Sequence, residues 1–251
     1  MQGSKKGRPR KVISQGNAKL AFTGKSITSH AGMALIARAL EYFLVRQDLK
    51  HHTADLDLGK HHPMSELLEQ LIAIRMMGGE AISDTALLKD DALAAFFDWD
   101  EVAHPSTFGR RLAQMRWSHN LGLQRIVTGL SDRVLRAGQR LVAIDSTVVS
   151  VFGGQIEGAE RGYNPHKPGR DSYHPLLAVD VGTRAVVDGY LRPGSCASNH
   201  GLEGFIRKLI ADSRHPVEQT VLRMDKGLTS GAVLEAIEGL GARYVAKLKL
   251  T

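Results

Sequence analysis

The sequence predicts a mixed α/β fold in which a helical N-terminal region precedes a sheet of order β-β-β-α-β-α-β. Two observations carry this. Apolar residues recur with the helical period from Ser29 to about Gly138, and from Arg140 onward short β-branched runs alternate with turn signals and two helical segments. We divide the chain into a basic tail over 1–28, a helical domain over 29–138 and a sheet-containing domain over 139–251.

The first eleven residues hold Lys5, Lys6, Arg8, Arg10 and Lys11, broken by Gly7 and Pro9, a composition that cannot form a core and reads as disordered. Gly7-Arg8-Pro9-Arg10 resembles the core of an AT-hook, whose arginines follow an A·T-rich minor groove. The plainer reading is a solvated tail that meets phosphates through Arg8 and Arg10 without regard to sequence.

Four apolar stripes define the helical region. Met33, Ile36, Ala37, Leu40, Phe43 and Leu44 form the first, and Leu67, Leu68, Leu71 and Ile72 the second, which stops at Gly78-Gly79. Phe108, Leu112 and Met115 follow Pro105-Ser106, with Arg110, Arg111 and Arg116 on other faces. Leu123, Ile126, Val127, Leu130, Val134 and Leu135 complete the set. Arg110 and Arg111 suit a DNA backbone, or an ordinary solvated face. His51, His52, His61 and His62 flank a polar, acidic stretch without cysteine or helical spacing, which reads as a loop and not as a zinc site.

In the second region Leu141–Val149, His174–Asp180, Ala185–Leu191, Thr220–Asp225 and Arg243–Leu250 read as strands, and Leu202–Ile210 and Ser230–Leu240 as helices. The last strand alternates Tyr244, Ala246, Leu248 and Leu250 with Arg243, Val245, Lys247 and Lys249. Its basic side, with Lys247 and Lys249, suits a DNA channel or a lysine-protected edge.

Composition narrows the function. A chain of 251 residues with formal charge +7 and a pI near 9.6 attracts polyanions, nucleic acid foremost. Cys196 is the sole cysteine, so no internal disulfide forms, and no apolar run is long enough to cross a membrane. A cytoplasmic protein is expected.

Two carboxylates carry the chemistry. Asp145 interrupts an otherwise apolar strand, where an aspartate is disfavoured, and Asp225 ends another. If the strands are neighbours, both carboxylates serve one spot suited to a hard divalent cation, as two-metal phosphoryl transfer requires. Taken singly, Asp145 could be a core carboxylate bonded to Thr147 or an arginine, and Asp225 could cap the following helix. The Gly- and Pro-rich stretch between the first two strands sets Arg161, Lys167 and Arg170 beside the Asp145 strand, where they could hold a phosphate.

Three blocks then give a resemblance: Ala143-Ile144-Asp145-Ser146-Thr147, Gly162-Tyr163-Asn164-Pro165 and Gly169-Arg170-Asp171-Ser172-Tyr173-His174-Pro175-Leu176. Arg223-Met224-Asp225-Lys226-Gly227 adds a looser fourth. The chain resembles the DDE transposases of bacterial insertion sequences. That resemblance covers most of the chain and implies an RNase H-like core with Asp145 and Asp225 as the first two acids of the Asp-Asp-Glu triad. It implies Mg2+ or Mn2+ in a two-metal site, cleavage of transposon ends, strand transfer into target DNA, dimeric action on paired ends, and a nucleoid-bound bacterial protein.

Departures from the family pattern are Lys226 with Gly227-Leu228 after the second acid, and the missing third acid. The family's glutamate lies on a helix beyond the fifth core strand, whereas this chain ends at Thr251. Glu235 and Glu238 fall on the exposed face of the preceding helix. The expectation is therefore a partial core, the N-terminal part of a transposase. The alternatives are a noncatalytic DNA-binding remnant or regulator of transposition, and a metal-dependent nuclease using Asp180 as third acid, although an aspartate before Gly182 commonly serves the turn.

Overall fold

The computed structural model describes residues 12–15, 18–21, 28–57, 61–89, 91–134, 138–153 and 156–247. A hairpin of β1 (Val12–Gln15) and β2 (Ala18–Ala21) comes first. Helices α1 (Met33–Tyr42), α2 (Val45–Asp57), α3 (Met64–Met76), α4 (Asp91–Phe97), α5 (Pro105–Leu112) and α6 (Trp117–Val134) follow. Next come β3 (Arg140–Ser146), β4 (Val149–Ser150), β5 (Glu160–Arg161), β6 (Asp171–Tyr173), β7 (Leu176–Asp180) and β8 (Val186–Tyr190). The described chain closes with α7 (Leu202–Asp212), β9 (Thr220–Met224), α8 (Gly231–Gly239) and β10 (Arg243–Ala246).

The chain divides into two compact units, 1–123 and 124–251, so the second unit begins inside α6 and not at residue 139. The reason is local: Gln124 Nε2 donates to the Gly189 carbonyl at 2.7 Å and Thr128 Oγ1 to that of Val187 at 3.0 Å, fastening this end of α6 to β8. Periodicity shows the helix but not which neighbour its end chooses.

Within the first unit, Leu44 adopts a positive φ of 61° and separates α1 from α2, and Gly78 at φ 88° ends the turn after α3. Phe97 stacks on Trp99 with ring centroids 4.5 Å apart, over a core of Met33, Ala37, Ile74 and Leu93. Buried Glu69 accepts from Arg46 Nε at 2.6 Å and from Trp99 Nε1 at 3.1 Å, so the carboxylate is charge-paired and hydrogen-bonded where solvent is excluded.

Three expectations change here. The hairpin β1–β2 lies within residues 1–28, where lysine and arginine content predicts only a disordered tail; Val12, Ile13, Leu20 and Ala21 supply the strand-forming residues. His51 and His52 belong to helix α2, whose polar composition hides a period with Val45, Leu49 and Thr53 buried. Helix α5 stops at Leu112, so Met115 lies beyond it.

The second unit is built on a five-stranded sheet of order β10-β9-β3-β7-β8. β3, β7 and β8 are successive antiparallel neighbours, while β9 and β10 run parallel to β3 on its other side. Three antiparallel strands followed by two parallel crossovers is the RNase H-like arrangement, and its order along the chain is the predicted β-β-β-α-β-α-β. One face packs Val142, Ile144, Ala178, Leu222 and Met224 against α7 and α8, through Phe205, Ile206, Val233 and Ile237. A second, three-stranded sheet of order β4-β6-β5 occupies the segment that the sequence marks only as turns. No described helix is long and apolar enough to cross a membrane.

Candidate functional site

Register builds the site. Ile144 pairs with Met224, and Met224 with Ala246, so these three side chains turn to the core face. The alternate residues turn the other way. Ala143, Asp145, Arg223, Asp225, Val245 and Lys247 thus line one cavity of about 440 Å³ on the face opposite α7 and α8. Asp145 and Asp225 stand at the C-terminal ends of adjacent parallel strands, which are spaced about 4.8 Å apart.

Neither carboxylate is a buried core acid: both are exposed. Asp145 Oδ1 accepts from the Ser146 amide at 2.8 Å, and Asp225 Oδ1 from the Gly227 amide at 2.9 Å. The bond from Gly227 folds the Asp225-Lys226-Gly227 turn, and Ser230, not Asp225, caps α8 by accepting from the Val233 amide. Oδ2 of each aspartate has no hydrogen-bond partner among the described residues. Two exposed carboxylates lining one cavity fit a magnesium-type ion, which takes few protein carboxylates and fills its other positions with water or phosphate oxygen. Arg223 and Lys247 put positive charge in the same groove, complementary to phosphate.

Asp145 is supported from behind. His174, buried on the way into β7, lies with Nε2 3.1 Å from Ser146 Oγ and Nδ1 2.9 Å from the Cys196 carbonyl oxygen. A carbonyl only accepts, so Nδ1 carries the hydrogen, and in the neutral ring Nε2 accepts from the Ser146 hydroxyl. The His of the third sequence block thereby touches the residue next to Asp145. Nothing in the spacing of residues 146, 174 and 196 announces that meeting.

The other predicted residues separate into groups. Arg161, Lys167 and Arg170 are exposed on the segment carrying β5; Lys167 Nζ and the Arg170 guanidinium carbon stand 4.4 and 4.8 Å from the Phe152 ring centre. Arg161 Nε is 3.5 Å from Asp171 Oδ1. Arg110 is exposed on α5. Arg111 is not on a solvent face: it is buried, donating to Gln114 Oε1 at 2.6 Å and the Leu56 carbonyl at 2.7 Å, which withdraws it from any DNA backbone. Arg8, Arg10 and Lys249 lie outside the described residues.

Asp180 is no third acid. It sits at the far end of β7 opposite Val142, buried, with Oδ1 accepting from the Thr183 amide and hydroxyl at 2.7 Å each and Oδ2 3.7 Å from Arg140 Nε. Glu235 and Glu238 are exposed, and Glu238 accepts from the Tyr244 hydroxyl at 2.8 Å. Among the described residues no third acidic or imidazole group joins Asp145 and Asp225. The one such trio is elsewhere: His61 Nδ1 and His62 Nε2 lie 3.5 and 3.0 Å from Glu101 Oε1. The distance of Glu101 along the chain hides that meeting from the sequence.

The chain belongs to the transposase DDE domain group 1 family, whose profile matches residues 10–251. Among solved structures it is similar to the piggyBac transposase synaptic complex with hairpin DNA, at 16% identity and a TM-score of 0.47, over 86% of this chain and 51% of that one. It is also similar to the pre-cleavage Mos1 transpososome, at 14% identity and a TM-score of 0.31, over 87% and 78%. The Mos1 mariner paired end complex with Mn aligns at 13% identity and a TM-score of 0.29, over 87% and 78%. The chain spans about half the length of the piggyBac chain it matches. No curated protein matches the sequence.

Proposed function

We propose that this chain supplies the Asp145–Asp225 half of a DDE transposase active centre, which cuts transposon ends and joins them to target DNA. The observation that carries the reading is the shared cavity: two exposed carboxylates, flanked by Arg223 and Lys247, on a family-matched sheet. In the first reaction water attacks an end phosphodiester in line, its proton leaves to solvent, and the P–O3′ bond breaks to free a 3′-hydroxyl. In the second, that hydroxyl attacks a target phosphodiester in line, its proton leaves to solvent, and the target P–O3′ bond breaks to free a target 3′-hydroxyl.

Asp145 and Asp225 would hold Mg2+ or Mn2+ in a two-metal site, where the ions acidify the attacking oxygen and offset charge on the leaving one. The rest is done by the chain's own cations. Arg223 and Lys247 neutralise phosphate in the groove, while Arg161, Lys167 and Arg170 bind flanking backbone as point charges and forks. The helical region 29–138 serves DNA binding and assembly into a homodimer on paired ends, with Arg110 toward DNA. The protein acts on DNA in the bacterial cytoplasm and nucleoid.

A second reading, a noncatalytic DNA-binding regulator of transposition, is favoured by one fact: no third carboxylate joins the pair among the described residues. One experiment separates the two. Supercoiled plasmid is incubated with the chain and Mg2+, with Asp145→Asn alongside, after binding has been measured from 50 to 200 mM salt. Salt-sensitive binding with nicking that Asp145→Asn abolishes supports the transposase centre. Since no third acid joins the pair among the described residues, binding without nicking is decided by Mn2+: ion binding that Asp145→Asn weakens supports the transposase centre, its absence supports the regulator, and salt-independent DNA binding removes both.

A further inference from the structure

Arg192 is about 1% exposed, yet among the described residues no carboxylate partners it. Its guanidinium is held by carbonyls: Nε donates to His174 at 2.9 Å, and Nη1 lies 3.2 Å from Ala197, 3.0 Å from Ser198 and 2.7 Å from His200. Nη2 is buried with no hydrogen-bond partner among the described residues. Burial pushes the guanidinium below its ordinary value. Burying an arginine this way is costly, and a core of apolar residues would serve stability as well or better. The arrangement therefore calls for a role that a hydrophobic side chain cannot fill.

That role is visible in what the clamped segment touches. Residues 193–200 leave β8 and curl around the Arg192 fork. At one side the Cys196 carbonyl receives His174, whose other nitrogen meets Ser146, the neighbour of Asp145. Further along, the Ser198 Cβ lies 3.8 Å from where a Cβ on Gly227 would stand, against the turn whose amide holds Asp225 Oδ1. Gly194 packs backbone to backbone on Gly162 of the second sequence block, so closely that a Cβ there would fall 1.8 Å from the Gly194 oxygen. One loop thus holds His174 behind the Asp145 strand, lies beside the Asp225 turn and packs on the base of the segment bearing Arg161 and Lys167.

We propose that Arg192 is a positioning residue for the Asp145–Asp225 pair: by fixing the carbonyls of residues 197, 198 and 200 it holds the loop that sets the two carboxylates at their working separation. His174 transmits this to the Asp145 strand, and Ser198 to the Asp225 turn. The inference rests on the metal-site reading above and adds to it the elements that determine the site's width. The buried fork, not the charge alone, is what the site needs, because a lysine ammonium cannot reach all four carbonyls from one planar group.

The test measures Mn2+ affinity by electron paramagnetic resonance in the unaltered chain, Asp145→Asn, Arg192→Lys, His174→Asn and, as a matched core defect remote from the cavity, Leu209→Ala. Circular dichroism melts accompany each. Arg192→Lys is expected to weaken Mn2+ binding at least tenfold, and His174→Asn by a smaller factor, while Leu209→Ala melts earlier with unchanged affinity. If Asp145→Asn weakens binding but Arg192→Lys and His174→Asn bind as the unaltered chain does, the positioning role is wrong and the metal site stands. If Asp145→Asn also binds normally, the metal-site reading fails and this inference with it. Should Arg192→Lys not fold, the His174→Asn affinity decides: unchanged binding overturns the proposal.

Discussion

Asp145 and Asp225 leave neighbouring parallel strands one residue past the same rung, Ile144 opposite Met224. The rung packs into the core and the two aspartates emerge on the other face. Both carboxylates are exposed, each with an oxygen that has no hydrogen-bond partner among the described residues, so they should contribute little to folding. Asp145→Asn or Asp225→Asn should leave unfolding free energy within about 0.5 kcal/mol of the parent. Mn2+ at ten times its dissociation constant should add about 1.4 kcal/mol to the parent and nothing to either variant. Calorimetric melts with and without Mn2+ check both statements.

Glu66 gives a pH signature to the helical unit. Desolvation, then repulsion from Asp100, Glu69 and Glu101, raises its carboxyl from an ordinary 4.5 to about 7. The folded value exceeds the unfolded one, so the associated stability is full below pH 4.5 and is lost as pH climbs through 7. Glu66→Gln keeps the oxygen that accepts from Gln70 and should remove this loss. At about pH 8 the variant should be more stable by on the order of 1 kcal/mol, discounted for partial solvent access, and equal to the parent at about pH 4. Urea titrations at both pH values decide it.

Arg140 is expected to matter for folding alone. Its buried guanidinium is 3.7 Å from both Asp132 and Asp180 and donates to Ser213 at 3.0 Å, and burial pushes it below its ordinary value. Arg140→Met strands two buried carboxylates and should cost about 3 kcal/mol. Adding Asp180→Asn should return part of that, as read from the urea midpoint.

The exposed cations should do the reverse. Replacing Arg161, Lys167 and Arg170 together by Ala should leave the melting curve in place and weaken DNA binding. The slope of log affinity against log salt should fall by about 0.9 for each phosphate that these side chains neutralise in the parent. Arg111→Ala, which vacates a buried site, should lower stability and leave that slope unchanged.

Much of this molecule is legible in its sequence because the relevant signals are local. An aspartate inside an apolar strand marks Asp145, and the alternation of Arg243, Val245 and Lys247 identifies the outward face of β10. Arg111 misleads because neighbouring arginines on one helix differ only in azimuth, and a shift of about 100° decides between solvent and the Leu56 carbonyl. The hairpin over 12–21 escapes because its few apolar residues are outnumbered by charges nearby. Arg192, His174 and the meeting of Gly162 with Gly194 escape for another reason: each depends on segments brought together only when β7, β8 and the loop after β8 are in place.

As we propose, Asp145 and Asp225 hold the reaction's divalent ions. Diffraction from crystals soaked in Mn2+, recorded at the manganese absorption edge, locates such ions directly. An anomalous peak is expected in the cavity of Asp145, Asp225 and Lys247 and should be absent in Asp145→Asn crystals. A map with no peak there, or with its one peak beside His61, His62 and Glu101, would contradict it.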